Sequence, residues 1–123
     1  MPRLLDKFPV LAVSVGASLL LTQTQLLAYE ARLRPQFERL DLQTRLEEVC
    51  DTEVTLKLNR ENPQLRVDKV VAYTFKTPGL KGDQLAADGA AFRSNGKWFR
   101  LAFKCRTGPR HLDVKDLSYQ IGS

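Results

Sequence analysis

Asn95 and Gly96 stand between two runs rich in apolar and aromatic side chains, "GAAFRS" before them and "KWFRLAFKC" after. An Asn-Gly pair readily takes the positive backbone angles of a two-residue hairpin turn, so the two runs are expected to be antiparallel strands with their register set at this point. Alternation then assigns the faces. Phe99, Leu101, Phe103 and Cys105 point one way, and Trp98, Arg100, Ala102 and Lys104 the other. The first set is the expected core, and it carries Cys105 with it.

What precedes the hairpin reads as helix. Pro35 interrupts or begins a turn, and Asp41 is a plausible N-cap because its carboxylate accepts otherwise unpaired amide hydrogens. Leu42, Leu46, Val49, Cys50 and Val54 follow at helical spacing and form one apolar face, and Asn62-Pro63 ends the helical region. In "VDKVVAYTFKTPG", Val71, Tyr73 and Phe75 alternate as in a strand, although so short a run also fits a buried helical turn. After the turn "RTGPRH", Leu112 and Val114 are out of phase with Leu117, Tyr119 and Ile121; a bulge near Lys115 and Asp116 reconciles them in one strand. The expected domain is α+β: a helix packed on one side of a small antiparallel β-meander.

Ahead of this domain, Phe8 to Tyr29 carries no charge and meets the roughly 20 residues a helix needs to cross a bilayer. The same stretch also has the parts of a cleavable leader: Arg3 and Lys7, an apolar centre, and a possible cut after Ala28. Ser14, Ser18, Thr22 and Gln25 recur along one side of a helix with Gly16 nearby, and small or hydroxylated side chains allow close helix packing in lipid. The retained N-terminal transmembrane helix is therefore the favoured reading. Residues 1–29 form the anchor or uncleaved signal, 30–41 a helical connector, and 42–123 the folded domain.

A domain of roughly 94 residues is small enough that a covalent staple helps it. Cys50 and Cys105 are the only cysteines. A bond between them would close a loop of roughly 56 residues, worth about 4 kcal/mol through the unfolded state. Two buried thiols, or a metal site completed by His111, are the rival readings; the latter lacks a close-spaced ligand pair. A disulfide would place the domain on the oxidising side of a membrane, the periplasm, with the N-terminus in the cytoplasm. Basic residues flank the apolar segment on both sides and do not decide its orientation.

Five stretches carry a resemblance: "LQTRLEEVCD" (42–51), "VDKVVAY" (67–73), "GAAFRSNGKWFRLAFKC" (89–105), "HLDV" (111–114) and "YQIG" (119–122). Together they resemble the bacterial family DUF930, a domain of unknown function. The resemblance implies a small exported domain of the bacterial envelope, with both cysteines in the family pattern, and it implies no reaction. Residues 1–41 fall outside it.

Catalytic motifs are missing: there is no nucleophile elbow, no phosphate-cradling glycine loop and no zinc-protease helix. The single histidine, His111, follows a turn, and the carboxylate pairs Glu47/Glu48 and Asp113/Asp116 read as exposed faces. No enzyme, cofactor or metal is expected. Charge is more informative, because Arg93, Lys97, Arg100, Lys104, Arg106 and Arg110 occur with no acidic residue among them, within a chain of net charge +5. Arg93, Lys97, Trp98, Arg100, Lys104 and Arg106 are the candidate surface for an anionic ligand or an acidic partner. The alternative is a solvated face guarded against edge pairing. Partners expected are subunits of an inner-membrane complex, the lipid bilayer and anionic lipid head groups; export argues against nucleic acid. Two functions follow. One is a non-catalytic, membrane-anchored accessory subunit, and the other a soluble periplasmic protein, its leader cleaved, that binds an anionic envelope component through the basic strand face.

Overall fold

The structure, a computed structural model, describes residues 32–122. The apolar segment, with Ser14, Gly16, Ser18, Thr22 and Gln25, lies outside the described residues. The chain divides between Gln36 and Phe37, and the second unit is the folded domain.

Residues 32–38 are helical straight through Pro35, so the break expected at the proline falls instead at Arg39 and Leu40. Arg45 helps to fix that break. Its guanidinium donates to the carbonyls of Phe37 (3.0 Å), Glu38 (3.1 Å) and Leu40 (3.0 Å), the acceptors a helix end leaves unpaired, and also to the Arg110 carbonyl (2.9 Å). The next helix, α1 (Leu42–Glu61), starts as its sequence predicts. The Asp41 carboxylate accepts from the Thr44 amide (3.0 Å) and hydroxyl (2.8 Å), and these bonds hold its pKa below the ordinary value. Leu46, Val49, Cys50, Val54 and Leu58 are buried along one stripe. Leu42, expected on that stripe, is 52% exposed because it sits in the first turn, whereas Leu58 continues the stripe a turn beyond Val54.

Asn62 closes the helix, and a 3-10 turn (Pro63–Leu65) leads to the sheet. Asn59 guides that passage: its amide donates to the Val67 carbonyl (2.8 Å) and its oxygen accepts from the Val67 amide (2.7 Å), which imitates a neighbouring strand. Five antiparallel strands follow: β1 (Val67–Val71), β2 (Gly79–Lys81), β3 (Gln84–Ser94), β4 (Lys97–Thr107) and β5 (Val114–Ile121). Their order is β1-β3-β4-β5, with β2 also on β3. The short strands β1 and β2 share one edge of β3, which pairs with β2 at Gln84–Ala86 and with β1 at Ala91–Ser94.

The turn at Asn95 (φ 51°) and Gly96 (φ 77°) is the expected hairpin, with Ser94 opposite Lys97. The bulge expected in β5 is also present: Arg106 faces Asp116 while Thr107 faces Val114, so Lys115 is the extra residue. A second bulge was not legible. Between Ala87 and Ala90, β3 spends two residues, Asp88 and Gly89, opposite Ala102. Here the segment from β1 to β2 passes over Gly89, with the Phe75 amide on the Gly89 carbonyl (2.8 Å). A Cβ on Gly89 would lie 2.3 Å from the Lys76 Cβ, so only glycine permits the crossing. For this reason the strand expected through Tyr73 and Phe75 stops at Val71, and both aromatic rings are exposed.

Helix α1 covers one face of the sheet. Its apolar stripe meets Leu85, Ala87, Phe92, Leu101, Phe103 and Cys105 in a single core. Cys50 and Cys105 are joined by a disulfide across that contact, with Cα atoms 6.0 Å apart and 55 positions separating them in sequence. Phe99, assigned to the core by alternation, is instead half exposed. Near the hairpin tip it stacks on Phe92 with ring centroids 5.3 Å apart.

Candidate ligand-binding face

The face turned away from α1 carries the side chains of opposite phase. Gly79, Ala86, Lys104 and Ser118 lie side by side across β2, β3, β4 and β5, and Ala102 and Gln120 form the next row. Because most of these are small, the sheet floor is bare. The crossing segment supplies a wall: Lys76 and Thr77 rise beside Asp88, with the Lys76 ammonium on the Asp88 carboxylate at 3.0 Å. The result is an open groove of about 590 Å³, lined by both rows. A smaller depression of about 370 Å³, bounded by Gln84, Arg106, Asp116 and Ser118, adjoins it, and Lys104 lines both.

The six candidate cationic and aromatic residues do not gather at one point. Arg93 is held by Asp68 in a two-pronged pair at 2.9 Å on each prong, and its guanidinium lies 5.6 Å from the Trp98 ring centroid. That pairing holds the Asp68 carboxyl below its usual range and raises Arg93. Arg106 is paired with Asp116. Arg100 lies over the Phe75 ring, 4.2 Å from its centroid. Lys97 occupies the other phase of β4, at the hairpin end. Lys104 alone lines the groove, and it makes no ion pair among the described residues. The five candidate cations thus resolve into two paired arginines, one arginine on an aromatic ring, a lysine at the hairpin end and a lysine over a cleared floor.

His111 has a different place. It is buried, with φ 57°, and its Nδ1 lies 2.6 Å from the Leu42 carbonyl and its Nε2 2.9 Å from the Asp83 carboxylate. Each ring nitrogen thus faces an oxygen of a different segment. The ring therefore clamps the start of α1 to the β2–β3 turn, and neither nitrogen is left for a substrate. At the other end of α1, the Tyr119 hydroxyl donates to Glu61 (2.5 Å) and accepts from the Asn62 amide (3.1 Å). The bond to Glu61 raises the tyrosine and lowers the glutamate.

The helix also carries a group that the sequence reading passed over. Asp51 is pushed up to about 8, first by burial and then by Glu48 and Glu47, with Lys69 opposing. Its Oδ1 is buried without a hydrogen-bond partner among the described residues. Glu47 is raised as well, by burial first and then by Glu48 and Asp41. Nothing in the order of residues separates Asp51 from the other acids beside it. Arg45 was missed for a similar reason, since its carbonyl partners come from the turn just before α1 and from the distant Arg110. Among the described residues, no cluster of His, Cys, Asp and Glu is arranged to hold a metal, and no helix is long and apolar enough to cross a membrane.

A helix fastened by one disulfide to a five-stranded antiparallel sheet, with the far face left open, defines a small disulfide-bonded α+β domain. The chain belongs to the family Domain of Unknown Function (DUF930), which matches residues 37–123 and so takes in α1 and all five strands. No curated protein and no solved structure matches the chain.

Proposed function

We propose that the protein is a non-catalytic accessory subunit, anchored in the bacterial inner membrane by Phe8–Tyr29, whose disulfide-bonded domain works on the periplasmic side. The observation that carries this reading is the Cys50–Cys105 bond, buried at the centre of the core between helix and sheet. A domain built around that bond suits an oxidising compartment. The uncharged N-terminal run supplies the tether, and the polar stripe of Ser14, Gly16, Ser18, Thr22 and Gln25 supplies a packing face for neighbouring helices. The engagement of His111 in two structural hydrogen bonds favours a binding role over a catalytic one.

The intact mass of the native protein tests the tether. Full mass supports it, and a loss of about 28 residues points to a cleaved leader. Replacing Ser14, Ser18 and Thr22 by leucine should reduce co-purification with membrane partners; unchanged association would remove the role given to the stripe.

A second reading rests on the groove. Lys104 stands over the small-residue floor and makes no ion pair among the described residues, which favours an anionic component of the envelope as ligand, with a phosphate or carboxylate at the ammonium. Titration of the full-length protein with a short-chain phosphatidylglycerol, followed by the fluorescence of its single tryptophan, should show saturable binding that Lys104→Glu weakens at least fivefold. Equal binding by the variant would rule out the groove.

A further inference from the structure

The two margins of the sheet are built differently. At one margin β1 and β2 are short, a bulge lies between Val67 and Lys69, and Asp68, Lys69, Pro78 and Lys81 mark the border. Short strands, bulges, charges and proline all discourage edge pairing. The other margin is β5, eight residues long, and from Leu117 to Gly122 it has neither charge nor proline.

Its backbone phase can be read from one bond. The Gly122 amide donates to the Arg100 carbonyl at 2.9 Å. In an antiparallel ladder such residues alternate, so Gln120 and Ser118 also face β4, while the N–H and C=O groups of Leu117, Tyr119 and Ile121 point out of the sheet. Among the described residues, no strand pairs with that edge.

We propose that this edge pairs with the same edge of a second copy, antiparallel, with Tyr119 on the twofold axis. The register brings Leu117 opposite Ile121 of the other copy, and Ser118 opposite its Gln120. The pairing is self-complementary in polarity on both faces and opposes no like charges. Lys57, 3.0 Å from Glu61, balances the carboxylate that holds the Tyr119 hydroxyl on the helix side. Ile121 is 44% exposed in the single chain and gains cover from Leu117 of the partner. Strand pairing over about five residues falls at the low end of interface size, so the dimer is weak and concentration-dependent. This inference does not depend on the groove or on the membrane tether.

Sedimentation of the full-length protein in mild detergent should show the mass per particle rising toward twice the monomer between micromolar and hundreds of micromolar protein. Ile121→Pro removes only an outward amide and leaves the β4 ladder intact. Ile121→Lys puts a charge at an exposed side chain. Each should weaken association at least tenfold while preserving the far-ultraviolet spectrum and the melting transition. Register is tested by mixing Ser118→Cys and Gln120→Cys chains, which should cross-link under mild oxidation at least five times faster than either alone. A chain that stays monomeric throughout overturns the proposal, including the case in which another segment occupies the edge. Association that both Ile121 variants leave intact, for example through the anchor, overturns it equally, as do equal cross-linking rates.

Discussion

On the helix side of the sheet, Leu85, Phe92, Leu101 and Phe103 are buried against α1; on the far side the same strands present Ala86, Ala102, Lys104 and Ser118 to a groove. The side chains alternate along single strands, so one short sequence has to satisfy both faces at once. The helix side is fastened at several points: the disulfide, the Asn59 amide on Val67, and the His111 ring between Leu42 and Asp83. On the far side the contacts are exposed ion pairs such as Lys76–Asp88 and Arg93–Asp68. Exposed pairs contribute little, because water screens them and two long side chains must be ordered. Stability is thus concentrated on one face, which leaves the other free to vary in shape and charge.

The comparison can be broken most severely by removing the bond. Cys50→Ala with Cys105→Ala should cost about 4 kcal/mol, the loop-closure contribution, read as a fall in the denaturation midpoint; reduction of the wild type should give a similar loss. Next, Leu101→Ala should cost about 3 kcal/mol by opening a cavity under α1. Arg100→Ala, one residue away on the far face, should move the midpoint far less. An equal effect of the two would mean that the faces do not divide the stability.

Asp51 is the weak point on the fastened side, and its effect has the opposite sign. Its carboxyl is raised from 3.8 to about 8 by burial and by Glu48 and Glu47. The folded chain therefore keeps a proton that the unfolded chain releases above about pH 4. The contribution of Asp51 is intact below pH 3.8 and is lost as the pH rises toward about 8, after which no more is lost. Asp51→Asn should raise stability at pH 8 and leave it nearly unchanged at pH 4, the gain growing as the pH rises between them. A flat difference between the two pH values would show that the acid is ionised in the folded protein. The smallest effect on stability belongs to the groove: Ala102→Leu should stay within about 0.5 kcal/mol of wild type while filling the floor and reducing phosphatidylglycerol binding. A large loss of stability would make Ala102 part of the packed structure instead.

Much of the domain was legible from local chemistry. Asn95-Gly96 announces a turn because few other pairs reach its backbone angles so easily, and Asp41 announces a helix start because its carboxylate reaches the Thr44 amide. The bulge at Lys115 followed from a phase change between Val114 and Leu117. The family resemblance over 42–122 likewise rested on short contiguous motifs, and it lies inside the matched residues 37–123. What was misread lay where distant segments meet. Tyr73 and Phe75 alternate like strand residues, yet the chain leaves the ladder at Val71 to cross over Gly89. Phe99 has the phase of the core but stacks on Phe92 at a half-exposed site.

The candidate site shows the same limit. Its cations are plain in the sequence as a run, but their availability is decided by partners elsewhere in the chain: Asp68 for Arg93, Asp116 for Arg106, Phe75 for Arg100. Turns, caps, strand phase and the pairing capacity of two cysteines were determined by the sequence itself, since each depends on residues within a few positions or on a chemistry with one available mate. The tertiary structure alone decided that Lys104 overlooks a groove, that His111 is a clamp and that Asp51 is starved of solvent, because burial and charge pairing depend on which side chains are brought near in space.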